Sequence, residues 1–339
     1  EMGDNLIAVN LGSDRTAVEI TAGRFHTCAV LNGGDVKCWG DGGNGRLGSG
    51  STDDLGDGPN EMGDNLIAVN LGTGRTAVEI TAGQGHTCAL LDNASVKCWG
   101  YGGLGPLGSG STATLGDGPN EMGDNLIAVN LGSDRTAVAI TAGRFHTCAL
   151  LDNASLKCWG HGVNGQLGSG NTNHRGDEAG EMGNLTAVNL GAGRTAVAIT
   201  AGTHHTCALL DDASLKCWGH GGYGQLGSGS TNHRGDEEGE MGDLLVAVEL
   251  GETPELSWTA TRSETVPILV FLSAKNAAQA AASQDAVAQT AAAQAAEVQA
   301  AAENDAADAQ AVADQATAAA AAAQVVADQA AAAADQTAV

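Results

Sequence analysis

Eight cysteines and one recurring histidine are the residues of this chain best suited to chemistry, and their spacing is strict. Cys28, Cys88, Cys148 and Cys207 recur at intervals of 60, 60 and 59 residues. Cys38, Cys98, Cys158 and Cys217 each follow ten residues after one of them. In the third set, Cys148 and Cys158 flank a hairpin centred on Asn153, so the two stand directly opposite each other. Opposed residues at a non-hydrogen-bonded pair have Cα atoms about 4.5 Å apart, within reach of a disulfide. The expected bridges are Cys28–Cys38, Cys88–Cys98, Cys148–Cys158 and Cys207–Cys217. Each closes a short loop worth about 2–3 kcal/mol in the chain-entropy model. Eight cysteines so paired, with none left over, point to an oxidising compartment and hence an extracellular or secreted protein. Two other readings stay open. The thiols could pack free, as small apolar groups, or His146, Cys148 and Cys158 could bind a metal. The H-x-C…C spacing supplies three ligands and matches no common zinc pattern.

Acidic turns form a second group. Asp57, Asn60, Glu61 and Asp64 fall within eight residues, and Asp117, Asn120, Glu121 and Asp124 repeat them. Oxygen-rich loops with glycine are candidates for calcium, the one cofactor the sequence suggests. Their order follows neither an EF-hand nor a nonapeptide repeat, so solvated turns are the competing reading. Catalysis finds little support. His26, His86, His146 and His205 recur, whereas an active site is normally unique within a chain, and no nucleophile elbow or phosphate loop is present. The expectation is a protein that is not an enzyme.

Elements must hold these residues in register, and they too repeat. In the copy at 61–120, Leu66 to Leu71 and Thr76 to Thr81 read as strands separated by a glycine turn. His86 to Leu91 and Ser95 to Trp99 read as two more, joined by a tight turn at Asp92, Asn93 and Ala94. A glycine-rich segment from Gly100 to Gly123 leads to the next copy. Four short strands split by turn signals are the grammar of an all-β protein. A four-stranded unit cannot bury both faces alone, but copies stacked around an axis can, as the blades of a β-propeller do. The array divides at about 1–60, 61–120, 121–180 and 181–239, with a partial fifth copy at 240–251. Residues 252–273 fit no copy; Val266 to Leu272 is a candidate closing strand. Residues 274–339 are more than half alanine and are expected to be a helix or a low-complexity tail.

The string His146 to Leu151, then Lys157 to Gly160, then Gly165 to Gly170 resembles the regulator of chromosome condensation repeat family. It recurs at His26 to Gly50, His86 to Gly110 and His205 to Gly229. Gly45-Arg46-Leu47-Gly48 and Gly105-Pro106-Leu107-Gly108 depart from the motif at one position each. The resemblance implies a propeller, commonly of seven blades, and this chain would be a cysteine-paired variant. Four copies in a chain that opens in phase with Glu61-Met62 suggest part of a larger ring, with a closed four-bladed ring or an open arc as alternatives.

The chain carries 40 acidic residues against 15 Lys and Arg, a formal charge of -25. That balance disfavours nucleic-acid and anionic membrane partners, and no apolar run approaches the ~18 residues of a membrane span. The expected partner is another protein. Positions that vary between otherwise fixed copies cluster at Arg24-Phe25, Gln84-Gly85, Arg144-Phe145 and Thr203-His204, and again at Asp41, Tyr101, His161 and His220. Matching sites in each blade should share one rim, so Arg24, Phe25, Tyr101, Arg144, Phe145, His161, His204 and His220 are the candidate partner-binding residues. The expected function is a non-catalytic interaction scaffold. Two alternatives follow from the resemblance and the acidic turns: a guanine-nucleotide exchange regulator of a small GTPase, for which no residue here can be matched, and a calcium-dependent cell-surface protein.

Overall fold

The structure is a computed structural model that describes residues 6–133 and 135–251. The expected closing segment at 252–273 and the alanine-rich tail at 274–339 lie outside the described residues. Within them the chain forms twelve strands in four antiparallel sheets, with no α-helix. The first sheet holds β1 (Ala17–Ala22), β2 (His26–Leu31) and β3 (Val36–Gly40). The second holds β4 (Ala77–Ala82), β5 (His86–Leu91) and β6 (Val96–Gly100). The third holds β7 (Ala137–Ala142), β8 (His146–Leu151) and β9 (Leu156–Gly160). The fourth holds β10 (Ala196–Ala201), β11 (His205–Leu210) and β12 (Leu215–Gly219).

The hairpin in each sheet sets the cysteine register. Between β5 and β6, Ala94 takes a left-handed φ of 60°. That conformation is uncommon for alanine, and the Asn93 side chain braces it by accepting the Ser95 N–H at 3.2 Å and hydroxyl at 2.7 Å. Copy one has Gly33 and Gly34 at these places, both with positive φ. Cys88 then pairs with Cys98, and the equivalent residues pair in every sheet. All four expected disulfides are present, with Cα atoms 4.1 Å apart, and the described residues hold no free cysteine.

One strand departs from simple alternation, and one expectation needs correction. Simple alternation along β4 would place Ala77 on the face of Glu79. A bulge between these residues shifts the register, so Ala77 and Ile80 are buried together. The blades also have three strands, not four. Residues 66–71 lie extended along the outer edge of the first sheet and make one backbone hydrogen bond to it there, Val69 N–H to the Val36 carbonyl at 2.7 Å. The same single bond recurs at Val129, Val188 and Val248. A ladder does not form because other partners take the polar groups around this segment. The Lys97 ammonium donates to the Leu71 and Gly123 carbonyls, and Asn70 spends its backbone carbonyl on Gly123 N–H and its side chain on Gly72 N–H. The opening of each sequence copy therefore packs on the blade before it, and the fifth start does the same for the fourth blade.

Three hydrophobic clusters join the blades in series. In the first, Cys28, Val30 and Val36 of the first blade meet Ile80, Leu91 and Trp99 of the second. The second cluster repeats this between blades two and three, and the third between blades three and four. Among the described residues no such cluster joins the fourth blade to the first. Ile20, the counterpart of Ile80, is accordingly 71% exposed where Ile80 is 3%.

A buried polar relay runs beside each cluster. The Thr147 hydroxyl donates to the Pro106 carbonyl at 2.9 Å, and the Trp159 indole N–H donates to the same oxygen at 2.9 Å. With the Thr147 proton so committed, His86 Nε2 must donate to Oγ1, at 3.0 Å. His26 with Thr87, and His146 with Thr206, repeat the arrangement. Gly83 leaves room for the ring. A Cβ there would stand 2.3 Å from His86 Cε1 and 2.5 Å from the Gly143 carbonyl of the next blade.

Candidate functional site

The inner strand of every blade ends at one place. Gly23, Gly83, Gly143 and Gly202, with the residue after each, surround a single hollow of about 440 Å³. Backbone bonds tie its rim from blade to blade: Arg24 N–H to Gly83 O, Gln84 N–H to Arg144 O, and Arg144 N–H to Thr203 O. The loops that start the second strand and follow the third open on this same side. Asp41, Tyr101, His161 and His220 each donate their backbone N–H to the carbonyl of Phe25, Gly85, Phe145 and His204 respectively. The two sets of variable positions are thus hydrogen-bonded together at one end of each blade.

Their side chains form a band across the blades. The Arg24 and Arg46 guanidinium carbons lie 4.8 and 5.7 Å from the centroid of the half-exposed Phe25 ring. Arg24 donates to Gln84 Oε1 at 2.9 Å. Tyr101 packs on Phe145 of the next blade with ring centroids 5.3 Å apart, and Arg144 lies 5.1 Å over that Phe145 ring. His161 reaches His204 at 6.0 Å, His204 reaches His220 at 6.4 Å, and His220 reaches Tyr223 at 5.6 Å. All eight candidate partner-binding residues therefore sit on this rim. Burial, and then the charges of His174, His204 and Arg144, lower the His161 pKa to about 4. His204 is lowered by the same burial and by Arg144.

Two rim residues escape sequence reasoning. His174 packs on His161 at 5.1 Å and His233 on His220 at 4.6 Å. The signal was the change from Thr52-Asp53-Asp54-Leu55 in copy one to Thr172-Asn173-His174-Arg175 and Thr231-Asn232-His233-Arg234. It was hidden because these loops fold back twelve residues after the positions they touch. Gly162 N–H donates to His174 Nδ1, and Gly221 N–H to His233 Nδ1, both at 3.2 Å.

The calcium candidates lie elsewhere and have protein partners. Glu61 Oε2 accepts the Gly56 and Gly58 N–H groups at 2.8 Å, which bends the turn back on itself and lowers the carboxyl pKa. Asp64 accepts both the backbone N–H and the hydroxyl of Ser13, which likewise lowers its pKa. Asp57 shares a hydrogen bond with Glu61, and Asn60 turns the chain with a φ of 65°. Among the described residues no group of three or more His, Cys, Asp or Glu is placed to hold a metal ion. None of their helices is long and apolar enough to cross a membrane.

Comparison with known proteins agrees with this geometry. The regulator of chromosome condensation (RCC1) repeat matches residues 17–46, 77–105, 137–166 and 196–225, which span the three strands of each blade and the loop that follows them. The ultraviolet-B receptor UVR8 of Arabidopsis thaliana is 30% identical over 223 residues, covering 65% of this chain and 45% of the receptor. The mitochondrial RCC1 domain-containing protein RUG3 of the same plant is 33% identical over 218 residues, covering 63% of this chain and 44% of that protein. The chain thus spans less than half the length of these curated relatives. The crystal structure of human WBSCR16 shares the fold, with a TM-score of 0.50 and 21% identity over 67% of this chain and 55% of that one. The four blades are repeats of the regulator of chromosome condensation family, in a form that carries one disulfide in each blade.

Proposed function

We propose that this protein is a non-catalytic interaction scaffold that presents the rim described above to a partner protein in an oxidising, extracellular setting. One observation carries the reading: rings and guanidinium groups from all four blades lie along one rim, Arg24 reaching the second blade through Gln84, on a backbone bonded from blade to blade. Aromatic and arginine side chains on a rigid base lose little entropy on contact and dominate binding energy at protein interfaces. The four disulfides support the compartment. The test is quantitative capture of binding proteins from extracellular fluid of the source tissue or culture. Phe25→Ala, Arg144→Ala and Phe145→Ala together should abolish the captured set, while Ile67→Ala at the outer edge should leave it unchanged. Equal capture by both variants would sink the reading.

A further inference from the structure

Two arginines of the rim differ from the other described arginines in what surrounds them. The described residues include nine arginines. Arg15, Arg46, Arg75, Arg135, Arg175, Arg194 and Arg234 each lie within 4 Å of a carboxylate. Arg24 and Arg144 do not, and Arg144 Nε is buried with no hydrogen-bond partner. Among the described residues, the two arginines with no carboxylate within 4 Å occupy the same place in their copies, and that place is the rim.

The histidines beside Arg144 add fixed donors. In the first blade, Gly42 N–H donates to Asp54 Oδ1 at 2.9 Å and Gly43 N–H to Asp41 Oδ1 at 2.7 Å. In the third and fourth blades, His174 and His233 take over the place of Asp54. Each accepts the equivalent glycine N–H through Nδ1, which must therefore be unprotonated. His161 and His220 take over the place of Asp41. Gln166 Oε1 accepts Asn164 N–H at 2.9 Å, so its amide nitrogen must donate to His161 Nδ1, at 2.7 Å. Gln225 does the same between Tyr223 N–H and His220 Nδ1. A neutral ring with an unprotonated Nδ1 carries its proton on Nε2. Replacement of Asp by His has thus kept the inward acceptor and turned the other polar edge of the side chain from acceptor to donor. This tautomer also leaves no Nε2 lone pair for a metal.

We propose that this rim binds a carboxylate-rich segment of a partner protein, held by the Arg24 and Arg144 guanidinium groups and the Nε2–H groups of His161, His174, His220 and His233. The inference rests on the scaffold reading and names the chemistry of the partner. The groups facing these rings are Arg144, His204, His205, Tyr223, one another and, at His233, the Asp236 carboxylate, which shares a hydrogen bond with Glu240. His161 stays neutral well below pH 7, so its donor persists.

The test uses the full chain and a fluorescein-labelled ten-residue peptide of alternating glutamate and alanine, read by fluorescence anisotropy. Controls are the glutamine counterpart and a ten-nucleotide single-stranded RNA. The glutamate peptide should bind and the other two should not compete for it. His174→Asp with His233→Asp restores the residue of the first blade, and Arg24→Gln with Arg144→Thr restores residues of the second and fourth, so each pair suits the fold. Each pair should weaken binding by about tenfold, with melting temperatures unchanged. Ring ¹⁵N shifts at pH 7 should report protonated Nε2 in the four rings. No binding of the glutamate peptide, equal binding of the glutamine peptide, displacement by RNA, unchanged affinity in both pairs, or protonated Nδ1 would each overturn the proposal. If partner capture still depends on Phe25 and Phe145 in that case, the scaffold reading stands and only the acidic ligand falls.

Discussion

His86 is wholly buried between two blades, whereas His161 lies partly exposed on the rim of one; burial keeps His86 neutral with its proton on Nε2, and the Gln166 donor at Nδ1 places the proton of His161 on Nε2 as well. The buried ring spends that proton inside the fold, on Thr147. The rim ring turns its Nδ1 inward and keeps its proton outward. The difference shows which partner decides the role of a histidine. A threonine already committed as a donor makes the ring a bolt between blades, while a glutamine committed as an acceptor makes it a surface donor.

Acid should have the largest effect, and it acts on the buried rings and on His161 alike. Burial lowers the pKa of His26 to about 4, and of His86 and His146 to about 3, from 6.5. Between those values the unfolded chain binds protons that the folded chain does not, so stability is full above pH 6.5 and falls as the pH drops. At pH 5 each buried ring should cost about 2 kcal/mol relative to pH 8. Denaturant midpoints across this window measure the loss, and a flat profile would mean that these rings are not held neutral. His86→Gln and His146→Gln should flatten the profile, and His161→Gln, which removes a ring also lowered to about 4, should flatten it further.

Gly83→Ala comes next. Its methyl would overlap both the His86 ring and the backbone of the next blade. Overpacking against backbone with no room to relax should cost about 3 kcal/mol. Thermal melting would show it, and a loss no larger than that of Gly183→Ala, whose new methyl would meet nothing nearer than Asn130 Nδ2 at 3.5 Å, would mean that the blades yield easily.

The smallest effect belongs to the rim. His161→Asp puts in the residue that the first blade carries there, so stability should change by less than about 0.5 kcal/mol. A loss as large as that for His86→Ala would erase the distinction between bolt and surface.

The cysteine register and the three sheet strands were legible in the chain because each depends on contacts within about twenty residues and recurs four times. The variable positions pointed to a shared rim through their matching places in each copy, although the bonds that join it run between blades. Asn93 and Ala94 mark the hairpin, and the hairpin places Cys88 opposite Cys98. The fourth strand was misread because a short apolar run such as Leu66 to Leu71 suits a strand, and cannot reveal that Lys97 and Gly123 compete for the hydrogen bonds a ladder needs. The bulge before Glu79 escaped for a related reason: its only local sign is a buried Ala77 three residues from a buried Ile80. His174 and His233 were invisible as rim residues because a glycine-rich loop carries no periodicity from which its return path can be read.

Each disulfide lies within a single blade and bridges a separation of ten residues. Covalent linkage between one blade and the next is left to the backbone alone. Pulled apart along its length, the array would peel blade by blade, and no bridge would oppose the separation of neighbours. Each bridge would instead hold back about 35 Å of chain from the stretched length. Reduction would then lengthen the extended protein by about 140 Å over four blades without changing which contacts yield first. The cysteine pairs thus act as a limit on extension, and a single molecule held at constant force would register their reduction as discrete steps.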